Sequence, residues 1–134
     1  MPLVRIDLER GRSPRQVSSI ADAIHSAIVD TFGIPQRDRF QIVSLHDRGA
    51  LIAQDAGLGF ERTSPVMVQI FTQRGRTDEH KQALYRAVAE RLGEAGVAGE
   101  DVFIGYFENG PQDWSFGFGR AQYLTGELGV PGPP

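Results

Sequence analysis

The stretch VRIDLERGRS (Val4–Ser13) returns 64 residues later as VQIFTQRGRT (Val68–Thr77). This repeat constrains the fold more than any other feature, because the segments flanking each copy also match. PLVRIDL (Pro2–Leu8) and PVMVQIFTQ (Pro65–Gln73) are short, apolar and alternating, which is the pattern of strands. Each runs into an Arg-Gly-Arg turn. Ser13 and Thr77 then occupy helix N-cap positions, with Pro14 at the first helical position and Asp78 and Glu79 at the positive end of the second helix. Val17, Ile20, Ile24, Ala27 and Ile28 recur at three-and-four spacing, as do Leu84, Val88 and Leu92, so each helix buries one face. Gly33 stops the first helix. RFQIVSL (Arg39–Leu45) and VFIGYF (Val102–Phe107) close the two units as strands. There the offset falls to 63 and aligns Asp38 with Asp101.

The chain therefore reads as a duplicated β-α-β unit in one domain, 1–134. Repeat one covers about 2–45, a linker 46–64, repeat two about 65–107, and a tail 108–134. The fold class expected is α/β (α+β), a four-stranded mixed sheet with two helices on one face. ALIAQD in the linker is expected as an extra edge strand or hairpin, and GVPGPP as a frayed end.

Right-handed crossovers join parallel strands, and a pseudo-twofold axis makes the first strands of the two units antiparallel neighbours. Eight strand residues span about 27 Å at ~3.3 Å each, so the two ends of each strand belong to different sites. Arg74 and Arg76 are then expected beside Pro2 and Asp38. Arg10 and Arg12 are expected beside Pro65 and Asp101. Methionine before proline is normally trimmed, which leaves Pro2 with a free secondary amine. The nitrogen of Pro65 is locked in a peptide bond. Amine chemistry is expected at the Pro2 end, and the other end reads as an inactivated copy.

Composition removes several chemistries. There is no cysteine, which excludes disulfides and thiolate nucleophiles. Lys81 stands alone among thirteen arginines, in the polar run DEHKQ, so a lysine Schiff base is not expected. The mild net charge of −3 marks no nucleic-acid partner. No apolar run approaches a membrane span, and no signal pattern opens the chain, so a soluble cytoplasmic protein is expected. His25, His46 and His80 share no metal-ligand spacing and read as structural or exposed; no metal and no cofactor are expected.

Pro2, Asp38, Arg74 and Arg76 at these separations, with the tail DWSFGFGRAQYLTGEL (Asp113–Leu128), resemble the tautomerase superfamily and its malonate semialdehyde decarboxylase branch. The resemblance covers nearly the whole chain. It implies a tautomerase/MIF-like fold, a homotrimer and no cofactor. It also implies a site of Pro2, Asp38, Arg74 and Arg76, with Trp114, Phe116, Tyr123 and Leu128 as an apolar wall. Two residues depart from the family pattern: Tyr123 stands where it has phenylalanine, and Gly75 loosens the arginine turn.

The residue chemistry suits a small carboxylate substrate of the 3-oxo type. Two guanidinium groups orient a carboxylate, and an amine near the carbonyl supplies an electron sink by hydrogen bond or by iminium. The activity expected is decarboxylation of malonate semialdehyde or a similar 3-oxo acid to aldehyde and carbon dioxide. Two alternatives stay open: a tautomerase or hydratase of 2-oxo or unsaturated acids using the same proline, and a binding protein with a vestigial site. Trp114 and Phe116 read equally as core or subunit contacts. A trimer is expected on physical grounds as well, since a four-stranded sheet covered on one face leaves the other face and both edges open.

Overall fold

A computed structural model of the protein describes residues 2–130. Its main elements are β1 (Leu3–Glu9), α1 (Pro14–Phe32), β2 (Phe40–His46), β3 (Val66–Gln73), α2 (Asp78–Glu94) and β4 (Val102–Asn109). A short helix α3 (Gln122–Thr125) lies in the tail. The sheet order is β2-β1-β3-β4. β1 runs parallel to β2 and antiparallel to β3, and β3 runs parallel to β4. This is the duplicated unit expected, with strand bounds moved by one or two residues.

Both helices start as the sequence predicts. The Ser13 hydroxyl accepts from Gln16 N at 3.1 Å and the Gln16 side chain accepts from Ser13 N at 2.7 Å, a reciprocal capping box. The Thr77 hydroxyl accepts from His80 N at 3.2 Å. Gly33 takes the left-handed conformation (φ 68°) that ends α1, and its N–H donates to Val29 O at 2.8 Å.

Alternate residues of the central strands, Val4, Ile6 and Leu8 with Val66, Val68 and Ile70, are buried beneath the helices. Ile20, Ile24, Ile28, Leu84, Val88 and Leu92 meet them from above. Each such side chain contributes about 1.5–3 kcal/mol on burial, against about 1 kcal/mol for a helix cap. The shared layer therefore holds the fold, and the caps set where each helix begins.

The other sheet face is open. Leu3 pairs with Phe40 and Phe71, and Phe71 with Phe107, so Phe40, Leu3, Phe71 and Phe107 form one apolar row across four strands. The Phe71 and Phe107 rings stack at 4.9 Å. Gly105 makes room for this stack, since a Cβ there would meet the Phe107 ring at 3.0 Å.

Two expectations need correction. ALIAQD forms neither strand nor hairpin. Side-chain to backbone bonds hold the linker as a loop instead: Asp55 accepts from Leu58 N at 2.8 Å and Gly59 N at 2.6 Å, and Arg62 donates to Gln54 O and Glu100 O. The second concerns Pro65. The β1–β3 register pairs Leu3 with Phe71 and Leu8 with Val66, so Val66 is the pseudo-equivalent of Pro2, and Pro65 lies one residue earlier. No helix among the described residues is long and apolar enough to cross a membrane. Met1 and most of GVPGPP lie outside the described residues.

Candidate active site

Pro2 opens β1 and is buried. One step beyond the Leu3–Phe71 pair, it stands level with Thr72, which is fully buried at the end of β3. Thr72 is in phase with Val66, Val68 and Ile70, so the strand alternation itself carries a hydroxyl to the helix-covered side. Gln73 is in the opposite phase and yet only 5% exposed. Tail residues such as Tyr123 help to bury it.

Arg76 follows Gly75, whose φ of 128° suits glycine alone and turns the chain back on itself. Its NH1 donates to Thr72 Oγ1 at 3.1 Å and to Gln73 O at 3.2 Å. Its guanidinium lies over the Phe32 ring at 4.4 Å. The Tyr106 hydroxyl faces the same guanidinium without good hydrogen-bond alignment. Burial pushes that phenol up to about 12, with Arg76 pulling the other way. Tyr106 thus stays protonated at neutral pH.

Asp38 comes from the turn between α1 and β2, where its N–H donates to Pro35 O at 3.0 Å. Burial raises its carboxyl above the ordinary aspartate range, and the nearby His25 and Arg76 draw it partly back. Tyr123 is raised as well, first by burial and then by the Asp38 charge, while Arg76 and the Gln73 side chain oppose the shift. These mutual effects bring Asp38, Arg76, Gln73 and Tyr123 into one cluster at the Pro2 end of the sheet.

The tail folds back over this end. Gln122 staples it, accepting from Phe116 N at 2.9 Å and donating to Gly117 O at 2.9 Å. Trp114 stacks on Phe116 at 5.6 Å, and Phe116 meets Tyr123 edge-on at 5.2 Å and Phe40 at 6.0 Å. The Trp114 indole N–H donates to Asn109 Oδ1 at 2.7 Å. Trp114, Phe116 and Tyr123 form one continuous wall. Leu128 sits further along, 39% exposed, with its N–H donating to Gln122 O at 3.1 Å. Arg74 is exposed at the rim. Its backbone N–H donates to Asn109 O at 2.8 Å, and its guanidinium packs so close to Gly110 that a Cβ there would lie 2.9 Å from NH1.

Thr72, Gln73, Tyr106 and Phe32 were not marked as site residues by the sequence. Thr72 had a signal, a polar residue in the buried phase of a strand. Gln73 had none, because its burial comes partly from a tail residue fifty positions away. Gln73 Nε2, Arg76 Nε and the Tyr106 hydroxyl are all buried without a well-aligned hydrogen bond, although Arg76 lies against Tyr106 and the Gln73 side chain against Tyr123. Most buried polar side-chain atoms in folded proteins are paired, so three together at one strand end, against Arg12 NH1 alone at the other, make this end the candidate ligand site.

Comparison with known proteins agrees with this geometry. Two family models described as tautomerase enzyme match residues 38–117 and 2–61. The probable tautomerase YrdN of Bacillus subtilis (strain 168) is 45% identical over 129 residues, 96% of this chain and 100% of that protein. The crystal structure of FG41 malonate semialdehyde decarboxylase inhibited by 3-bromopropiolate is 57% identical, with a TM-score of 0.93 over 96% of this chain and 99% of that one. A second malonate semialdehyde decarboxylase, solved to explain decarboxylase and hydratase activities, is 39% identical, with a TM-score of 0.89 over 94% of this chain and 98% of that one. The duplicated unit, the strand-end cluster and these likenesses together make this chain a member of the tautomerase superfamily and of its malonate semialdehyde decarboxylase family.

Proposed function

We propose that this enzyme decarboxylates malonate semialdehyde or a similar 3-oxo acid. The observation that carries the reading is the convergence of Pro2, Asp38, Arg76 and Gln73 at one strand end, with Gln73 Nε2 and Arg76 Nε buried there without a well-aligned hydrogen bond. Such a substrate has a carboxylate at one end and a carbonyl oxygen at the other. Arg76 and the Gln73 amide take the carboxylate, and Arg74 at the rim draws the anion in. Trp114, Phe116, Tyr123 and Leu128 keep water from the carboxylate, which favours neutral carbon dioxide over the anion.

Pro2, once Met1 is removed, carries a secondary amine, and free α-amino groups ordinarily titrate at about 8, so both protonation states are open to it. As the ammonium it donates to the aldehyde oxygen. The bond between the carboxylate carbon and the methylene then breaks, and its electron pair forms the double bond of an enol whose oxygen takes the Pro2 proton. Carbon dioxide leaves. The methylene carbon next takes a proton from solvent, and the enol oxygen returns its proton to Pro2, giving the aldehyde. In the covalent route the unprotonated amine adds to the carbonyl and loses water, so the iminium accepts the pair instead. The resulting enamine takes a proton at the methylene carbon, and water hydrolyses the iminium so formed to acetaldehyde and the free Pro2 amine. Asp38 balances the ammonium charge in the first route and moves protons in the second.

Proton NMR of the Met1-processed enzyme with malonate semialdehyde tests the proposal. Acetaldehyde forms with the wild type and not with Pro2→Ala. Borohydride trapping adds mass to the Pro2 peptide if the iminium route operates. The presence of Asp38 beside Pro2 also supports a second reading, hydration or tautomerisation of 2-oxo or unsaturated acids, with Asp38 activating water. Turnover of an alkynoic 2-oxo acid with malonate semialdehyde left unchanged selects it.

The row of Phe40, Leu3, Phe71 and Phe107 on the open sheet face supports a homotrimer, in which three sheets close round an axis and bury these rings. Light scattering at micromolar concentration then gives a mass of three chains.

A further inference from the structure

We propose that His25 is a positioning residue: it sets Asp38 in the site by holding the turn that carries it. The inference rests on the role given to Asp38 above. His25 lies on the buried face of α1 beside Ile24 and Ile28, and is only 5% exposed. An imidazole in such a place costs stability unless it is hydrogen-bonded. Its Nε2 lies 2.7 Å from Gln36 O. A carbonyl oxygen only accepts, so Nε2 carries the proton and donates.

Gln36 stands two residues before Asp38, inside a turn closed by the Asp38 N–H to Pro35 O bond. On the far side of Asp38, Arg39 donates from NH2 to Asp22 Oδ1 at 2.8 Å. Asp38 is thus bracketed by two ties to α1, one at Gln36 and one at Arg39. They differ in weight. The Arg39–Asp22 pair is exposed, and such pairs contribute little. The His25–Gln36 bond is part-buried, with its imidazole end only 5% exposed, so losing it leaves a buried ring nitrogen poorly placed to reach solvent. His25 is therefore the tie that fixes the carboxylate. Its ring also acts on Asp38 through space, in the same sense as Arg76.

The test is a double-mutant cycle on kcat/KM in the full-length, Met1-processed enzyme: wild type, His25→Leu, Asp38→Asn and the pair. His25→Leu is expected to lower kcat/KM about tenfold or more, the usual scale for losing a buried hydrogen bond that orders a reacting group. His25→Gln, which keeps a donor, recovers most of the loss. In the Asp38→Asn background, His25→Leu costs less than about twofold, because the group it positions is already gone. An Asp22→Ala control stays within about twofold of wild type.

Equal losses in both backgrounds would show a merely structural histidine and overturn the inference, as would an unchanged His25→Leu enzyme. If His25→Leu does not fold, His25→Asn takes its place, with an amide too short to reach Gln36, and the same outcomes decide. If the wild type leaves malonate semialdehyde unchanged, the decarboxylase reading is lost, and the cycle is run on hydration of an alkynoic 2-oxo acid. Coupling between His25 and Asp38 there keeps the positioning role, and additivity removes it.

Discussion

The two ends of the sheet are copies of each other, and side by side they show how a repeat acquires one site and not two. At the first end the last strand residues are Thr72 and Gln73; at the second they are Leu8 and Glu9. Tyr106 faces Arg76 where the other end has Val43. Asp38 is half-buried among His25, Arg76 and Tyr123. Its counterpart Asp101, 4% exposed, accepts from Thr63 N at 2.8 Å and Ser64 N at 3.1 Å. Arg12 donates to Ser64 O at 3.2 Å and Arg10 to Asp47 at 2.9 Å. At the second end the linker takes both oxygens of the carboxylate and one nitrogen of each arginine, leaving Arg12 NH1 as the one buried atom of this set without a hydrogen bond, so these groups hold chain together. At the first end the tail covers the cluster, and Gln73 Nε2, Arg76 Nε and the Tyr106 hydroxyl are left buried without a well-aligned hydrogen bond. Backbone geometry is shared; the segment that folds over each end decides what the end can do.

The contrast between the ends is tested most severely at Pro2. Pro2→Ala is expected to lower kcat for decarboxylation by about 10²–10⁴, the range for losing a positioned proton-transfer group, as read by acetaldehyde formation. Next come the paired arginines. Arg76→Ala should reduce kcat/KM by roughly 10²–10³, as for removal of a preorganised charge donor, whereas Arg12→Ala should keep it within about twofold. If Arg12 proved essential and Arg76 dispensable, the assignment of the two ends would be reversed.

The aspartates separate the ends further, because they should fail in opposite ways. Asp101→Asn puts an amide N–H against one of the two linker N–H groups that now donate to a carboxylate. It should cost about 1–3 kcal/mol of stability, with kcat/KM retained. Asp38→Asn should lower kcat/KM yet raise stability, by the smallest of these effects. The sign comes from linkage. Burial raises the folded-state pKa of Asp38, so its contribution is fully favourable only below the ordinary aspartate range and is lost as pH rises through the folded value. Asparagine removes that penalty. Tm of Asp38→Asn should exceed wild type at pH 7, and the gap should close as pH falls below the aspartate range. A lower Tm at pH 7 would mean that the Asp38 charge is held by its partners more strongly than burial opposes it.

The helix phases and the caps were readable because each depends on residues near in sequence, and the duplication because the two copies match residue for residue. So was the meeting of Asp38 and Arg76 with Pro2, since strand direction and register carry them to one end. Pro65 shows the limit of such reading: a proline at the right place by eye lies one residue from the register position, which Val66 takes. ALIAQD shows another. Its apolar residues suit a strand, but Asp55 and Arg62 bind backbone groups of the linker and hold a loop.

Period and capping act over short distances and the repeat gives the strand directions, so the order of residues along the chain was enough to set the architecture and the end of the sheet where chemistry belongs. The surroundings of Pro2 were settled by tertiary packing alone. The burial of Gln73, the seat of Arg76 on Phe32 beside Tyr106 and the closing of the tail over Gln73 join residues far apart in the chain. Their hydrogen bonds, ring contacts and desolvation exist only once the sheet has brought those segments together.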